Sequence, residues 1–106
     1  MFYELRQYTI KKGKMKQWVK LMEQEILPFQ LSHGMVVAGS FTVEDDPTKY
    51  IWIRRFASEA ERKRLYAKVY ETAHWKKKLS PKIGTMLDRS SIVVTRIVPT
   101  SKSVLQ

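Results

Sequence analysis

The sequence predicts an α+β domain of βαββαβ order, with a four-stranded antiparallel sheet and both helices on one face. Three observations lead there. Strand-like and helix-like spacing of the apolar residues alternate in that order along the chain. A short acidic stretch, Glu44-Asp45-Asp46-Pro47, joins two β-like runs and leaves room only for an antiparallel hairpin. Laying Leu5-Arg6-Gln7-Tyr8 over Ile53-Arg54-Arg55-Phe56 also lays Trp18 over Tyr66, a faint trace of a duplicated βαβ unit.

Each element has its own warrant. Phe2 to Ile10 is rich in aromatic and branched residues and reads as the first strand, ended by Lys11-Lys12-Gly13. From Lys14 the period becomes helical: Met15, Trp18, Met22, Ile26 and Phe29 share one face, while Lys14, Lys16, Lys20, Glu23 and Gln24 fall mostly elsewhere. Pro28 removes a backbone donor and should bend this helix, and Gly34 suits the position just past its end. Met35 to Val43 and Lys49 to Phe56 are the second and third strands. Ser58-Glu59-Ala60-Glu61 has the form of a capping box opening the second helix. Leu65, Tyr66, Val69, Tyr70 and Ala73 are its inward face. Trp75, Leu79, Ile83 and Met86 continue at helical spacing, bent or broken at Pro81. Ser91 to Val98 is the fourth strand, ended by Pro99.

The 106 residues fit one domain at the usual ~100–200 residues. Residues 1–100 form it, and 101–106 read as a flexible tail. With 43% hydrophobic and 28% charged residues, the composition is that of a folded protein. The chain has no cysteine, which excludes disulfides, thiolate metal sites and a cysteine nucleophile. Glu4 and Arg6 interrupt any leader-like apolar run, and no segment reaches the ~20 apolar residues of a membrane span. A cytoplasmic protein is expected.

The strands are apolar on both faces. Met35, Val37 and Phe41 alternate with Val36 and Ala38. Tyr50, Trp52 and Phe56 alternate with Ile51 and Ile53. Ile92, Val94 and Val98 alternate with Val93 and Ile97. Helices cover one face, and an identical sheet across a two-fold axis is the simplest cover for the other. A homodimer through the sheet face is therefore expected.

The net charge of +10 raises an anionic partner. The order βαββαβ also belongs to RNA-recognition domains, but those need exposed aromatics on the third strand. Here Ile51 and Ile53 replace the stacking residues, and the basic clusters Lys11–Lys20, Arg62–Lys68 and Lys76–Lys82 lie on or beside helices. Nucleic acid is not the expected partner. Two histidines far apart in sequence give no metal-ligand spacing, four glycines form no phosphate loop, and no cofactor is implied.

Quoted in order, the chain carries Phe2-Tyr3-Glu4-Leu5-Arg6 with Tyr8-Thr9-Ile10, Glu25-Ile26-Leu27-Pro28, His33-Gly34-Met35 and Thr42-Val43-Glu44-Asp45-Asp46. Then come Trp52-Ile53-Arg54-Arg55-Phe56, Ser58-Glu59-Ala60-Glu61-Arg62, and Val69-Tyr70-Glu71 before Trp75. In these motifs it resembles the NIPSNAP family of the dimeric α/β-barrel superfamily. The resemblance implies a ferredoxin-like protomer and a barrel-like dimer. Related families include cofactor-independent oxygenases acting on aromatic polyketide-like substrates, and haem enzymes. Animal members of the family are described as membrane-trafficking and mitochondrial proteins, and the short microbial members mostly lack an assigned reaction.

A pocket in such a fold lies between sheet and helices, with Tyr3, Tyr8, Trp52, Tyr66, Tyr70 and Trp75 as candidate walls, unless they are simply core. His33 is the candidate general base, set against a plain role at a helix C-terminus; His74 reads as structural. Arg54 and Arg55 are neighbours in one strand and point to opposite faces, so one enters an apolar layer. That cation needs Glu4, Glu44 or an anionic ligand, with Arg6 and Arg96 on neighbouring strands. Two functions fit. One is a small hydrophobic or aromatic ligand in the pocket, with cofactor-free oxygenase-type chemistry conceivable. The other is a non-catalytic scaffold whose basic helices meet an anionic partner.

Overall fold

The computed structural model describes residues 1–106. Strands β1 (Phe2–Thr9), β2 (Val36–Val43), β3 (Asp46–Phe56) and β4 (Val93–Ile97) form one antiparallel sheet in the order β2-β3-β1-β4. Helices α1 (Met15–Leu21) and α2 (Leu27–Ser32) follow β1, and α3 (Glu59–Tyr70) and α4 (Ser80–Gly84) follow β3. This is the expected ferredoxin-like α+β fold.

The two prolines neither end nor break their helices. Between α1 and α2 lies a π-helical turn, Met22–Ile26, in which the Leu27 N–H reaches back to the Met22 carbonyl. A second π turn, Trp75–Leu79, precedes α4, and there the Ser80 N–H reaches the Trp75 carbonyl. Pro28 and Pro81 each come one residue later. In a regular α-helix the proline ring collides with the carbonyl four residues back. Those carbonyls belong to Gln24 and Lys77, both inside the widened turns. The helical backbone thus continues past both prolines, with no break at Pro81.

The second helical stretch stops at Tyr70 instead. The Thr72 hydroxyl donates to the Val69 carbonyl at 2.8 Å and accepts the Trp75 N–H at 3.2 Å, closing one helix and opening the next. Ala73 is therefore exposed rather than inward. At the start of α3, Ser58 accepts the Glu61 N–H at 3.1 Å, as a capping residue should. The Glu61 carboxylate returns one residue further than expected, to the Ala57 N–H.

The hairpin turn is tighter than the sequence suggests. Val43 pairs with Asp46, so only Glu44 and Asp45 lie in the turn, and β3 begins three residues early. The fourth strand is shorter than expected. Asp88 accepts the Ser90 N–H, and this holds Arg89–Ser91 in a 3-10 turn before β4.

One correction matters for the surface. Val37, Gly39 and Phe41 do not continue one alternation, because the β2–β3 register shifts between Val37 and Gly39. Val37 stays beneath the helices opposite Arg54, while Phe41 faces outward opposite Ile51. An extra residue in a bulge inverts every later side chain. Gly39 permits it, since a Cβ there would stand 2.5 Å from the Phe41 ring.

Helix-facing residues form two clusters. Trp18, Met22, Ile26, Tyr50, Trp52 and Leu79 belong to the larger one, and Met35, Phe56, Leu65 and Val69 make the smaller. The outer face carries Val36, Phe41, Val93 and Ile97, all exposed. Residues 99–106 fold back beside it. The Gln106 main-chain oxygen accepts from the Tyr3 hydroxyl at 2.8 Å and from Arg55 Nε at 2.9 Å. No helix is long and apolar enough to cross a membrane.

Candidate functional site: an arginine-centred cluster and an aromatic cavity

Strand alternation puts Tyr50, Trp52, Arg54 and Phe56 beneath the helices and turns Arg55 outward. Arg54 has no exposed surface. It lies directly opposite Glu4 in the β1–β3 register, and its Nη2 is 2.9 Å from Glu4 Oε1. Glu44 takes no part. The remaining donors are met from the helices. Nη1 donates to Gln30 Oε1 at 3.0 Å and to the Tyr70 hydroxyl at 2.6 Å, and Nη2 donates to the Tyr66 hydroxyl at 2.7 Å. Tyr66 in turn donates to the Glu4 carboxylate at 2.7 Å. Tyr66 and Tyr70, one helical turn apart on α3, reach the same guanidinium. Its carbon also stands 4.7 Å from the Trp52 ring centre and 5.0 Å from that of Tyr66. Arg54 Nε alone has no partner.

These contacts fix the protonation states. Burial works against the Arg54 charge, but the Tyr70 and Tyr66 oxygens and Glu4 outweigh it and raise its pKa. Burial pushes the Tyr66 phenol up to about 12, with Arg54 pulling the other way. Burial likewise pushes Tyr50 up to about 12, against its bond to Ser40.

Beside this cluster is a half-open cavity of about 240 Å³. Arg6, Tyr8 and Trp52 form its sheet side. Trp18, Met22 and Ile26 come from α1 and the first π turn. Tyr66, Tyr70, Trp75 and Ile83 come from α3, the second π turn and α4, and Leu87, Arg89 and Ile92 complete the lining. No carboxylate, amide or histidine side chain lines it. Arg6 donates through Nε to the Tyr8 hydroxyl at 2.9 Å and through Nη1 to Tyr66 at 3.3 Å.

The structure thus brings together Tyr8, Trp52, Tyr66, Tyr70 and Trp75 at the cavity, with Arg54 just behind its wall. It does not bring Tyr3, Arg55 or His33 there. Tyr3 and Arg55 are on the outer face with Gln106. His33 closes α2, its Nδ1 2.8 Å from the Phe29 carbonyl and its ring 4.3 Å from that of Phe29. His74 is exposed against the same phenylalanine. Arg96 pairs with Glu59 and lies over Phe2, away from Arg54. Sequence reasoning missed Gln30, Arg89 and the cavity role of Trp18. Gln30 gave one usable signal: it follows Ile26 at helical spacing and so falls on the inward face. No group of three or more His, Asp or Glu residues stands close enough to hold a metal.

The NIPSNAP family model matches residues 3–102, nearly the whole chain. The chain belongs to the NIPSNAP family. It is similar to a crystal structure of an Agrobacterium tumefaciens protein, with 29% identity, TM-score 0.90 and full coverage of both chains (100% and 100%). A second NIPSNAP family protein of Agrobacterium tumefaciens shares 26% identity at TM-score 0.87, with 99% of this chain and 98% of that one covered. The fold extends to an antibiotic biosynthesis monooxygenase at 19% identity and TM-score 0.67, covering 94% of this chain and 99% of that one. That likeness is one of fold alone. No curated protein matches the chain.

Two outcomes follow for this NIPSNAP protein. Arg54→Met strands the buried Glu4 carboxylate and should cost roughly 3–5 kcal/mol in urea denaturation, with much of the loss recovered in the Glu4→Gln, Arg54→Met double variant. A cost below about 1 kcal/mol, the range of exposed pairs, would show that the pair is solvated. Tyr50 and Tyr66 have folded pKa values above the ordinary 10.0, so their contribution to stability is whole below pH 10.0 and is lost as pH rises toward about 12. In a spectrophotometric titration Tyr50→Phe and Tyr66→Phe should each remove an ionisation step above the ordinary phenol range, toward pH about 12. Five uniform ionisations would contradict the burial assignment.

Proposed function

We propose that the protein binds a small hydrophobic or aromatic ligand in the cavity between its sheet and helices. One observation carries the reading: all three tryptophans of the chain, Trp18, Trp52 and Trp75, line a single half-open space together with Tyr8, Tyr66 and Tyr70. Concave aromatic lining with a few placed polar groups is the usual form of a small-molecule site. A cofactor-free oxygenase-type reaction on such a ligand needs a carbanion. The lining side chains offer no neutral-pH base, so that chemistry would require a ligand that enters already ionised. His33 lies outside the cavity and does not supply the proton acceptor there.

The same placement makes the test direct. Tryptophan emission should respond to titration with mono- and bicyclic aromatics, neutral and anionic. Ile83→Phe, which fills the space, should weaken the response. Silence from every compound on a folded protein would remove the ligand-site reading.

The second half of the proposal is a homodimer through the outer sheet face. Val36, Phe41, Val93 and Ile97 present exposed apolar side chains there, with residues 99–106 folded beside Ile97. Phe41→Lys should shift the protein to a monomer in light scattering with an unchanged far-UV spectrum. A wild-type protein that is monomeric at micromolar concentration would refute this half.

A further inference from the structure

The cavity is unbalanced in two ways at once. The first imbalance is of charge. Arg6 and Arg54 bring two guanidinium groups to one small region, and Glu4 is the single carboxylate that meets them. That carboxylate is already committed to Arg54 at 2.9 Å and Tyr66 at 2.7 Å, while Arg6 Nη1 stands 3.8 Å away from it. The Arg6 side chain is only 14% exposed. Tyr66 does not supply the missing negative charge, because burial keeps its phenol protonated. Arg89, on the same cavity, bonds to the Ser80 carbonyl and hydroxyl and forms no salt bridge.

The second imbalance is of hydrogen bonds. The Tyr8 hydroxyl accepts from Arg6, and the Tyr70 hydroxyl accepts from both Arg54 and Gln30, so each keeps its own hydrogen without an acceptor. The indole N–H groups of Trp18 and Trp52, residues 1% and 2% exposed, have no partner. Both indoles belong to the cavity lining. Every polar side chain there is a donor, and there is no side-chain carboxylate or amide acceptor. Buried donors without acceptors cost free energy, and a surplus buried cation costs more.

We propose that the ligand is a monoanion with a flat apolar body, an aromatic carboxylate or a comparably acidic oxyanion. Its charged end meets Arg6 and the free hydrogens of Tyr8 and Tyr70, and its ring lies among Trp18, Trp52 and Trp75. The inference rests on the reading of the cavity as a ligand site and adds the charge class of the ligand. A neutral aromatic would fill the same space but leave both imbalances standing.

Two probes of nearly equal shape separate the claims: naphthalene-2-carboxylate and naphthalene-2-carboxamide, titrated calorimetrically into the intact protein at neutral pH. The carboxylate should bind roughly ten- to hundred-fold tighter, the worth of a charge-assisted contact. Arg6→Gln should bring its affinity down toward that of the amide while leaving the amide nearly unchanged. Should Arg6→Gln fold poorly, Arg89→Gln is the second variant, at an exposed position, and should lower carboxylate affinity by a smaller factor. Equal binding of the two probes would mean that water meets the Arg6 charge; the anion inference would then fall while the ligand site stands. Binding of neither probe would overturn both.

Discussion

Arg54 and Glu4 face each other across the two central strands, and the rest of the molecule is arranged around satisfying them. A guanidinium taken fully out of water must be met on nearly all of its donors. The sheet supplies only the carboxylate. The other acceptors come from Gln30 on α2 and from Tyr66 and Tyr70 on α3, so both helical stretches are tied to one point of the sheet. The pair also constrains register. A one-residue slip of β3 would carry Arg54 to the outer face and drive Arg55 beneath the helices, where no second carboxylate waits.

Much of this was legible in the sequence because it follows from local periodicity. Adjacent arginines in a strand must diverge, and an apolar layer accepts a guanidinium only with a partner, for which the sequence offers Glu4, Glu44 or an anionic ligand. The order of elements, the Ser58 cap and the inward faces of both helices were readable for the same reason. What was not legible depends on counting residues across a distortion. The Gly39 bulge turns Phe41 from the core to the surface, and Thr72 ends α3 early enough to expose Ala73. His33 is a titratable residue at a helix end, but the direction of its ring is set by Phe29, not by its place in the chain.

The cavity draws on both halves of the chain. Trp18, Met22 and Ile26 come from the first βαβ unit, and Tyr66, Tyr70, Trp75 and Ile83 from the second. Arg54 lies behind their meeting point with its charge met by Glu4, which leaves the charge of the nearer Arg6 facing the space. This division of labour places charged groups around an apolar space. The wall is hydrophobic, while the charge sits in and behind it, held by bonds that a ligand need not break.

The two π turns have a consequence for how such a wall is built. An ordinary helix advances about 100° per residue, so a stripe of side chains aimed at one target drifts away from it over several turns. Widening a single turn resets that phase. Trp18 before the first π turn and Ile26 at its end address the same space, as do Trp75 at the start of the second and Ile83 beyond it. Each helical stretch thereby behaves as two short, separately aimed segments on one continuous backbone, a geometry that trades some helical regularity for curvature around the cavity.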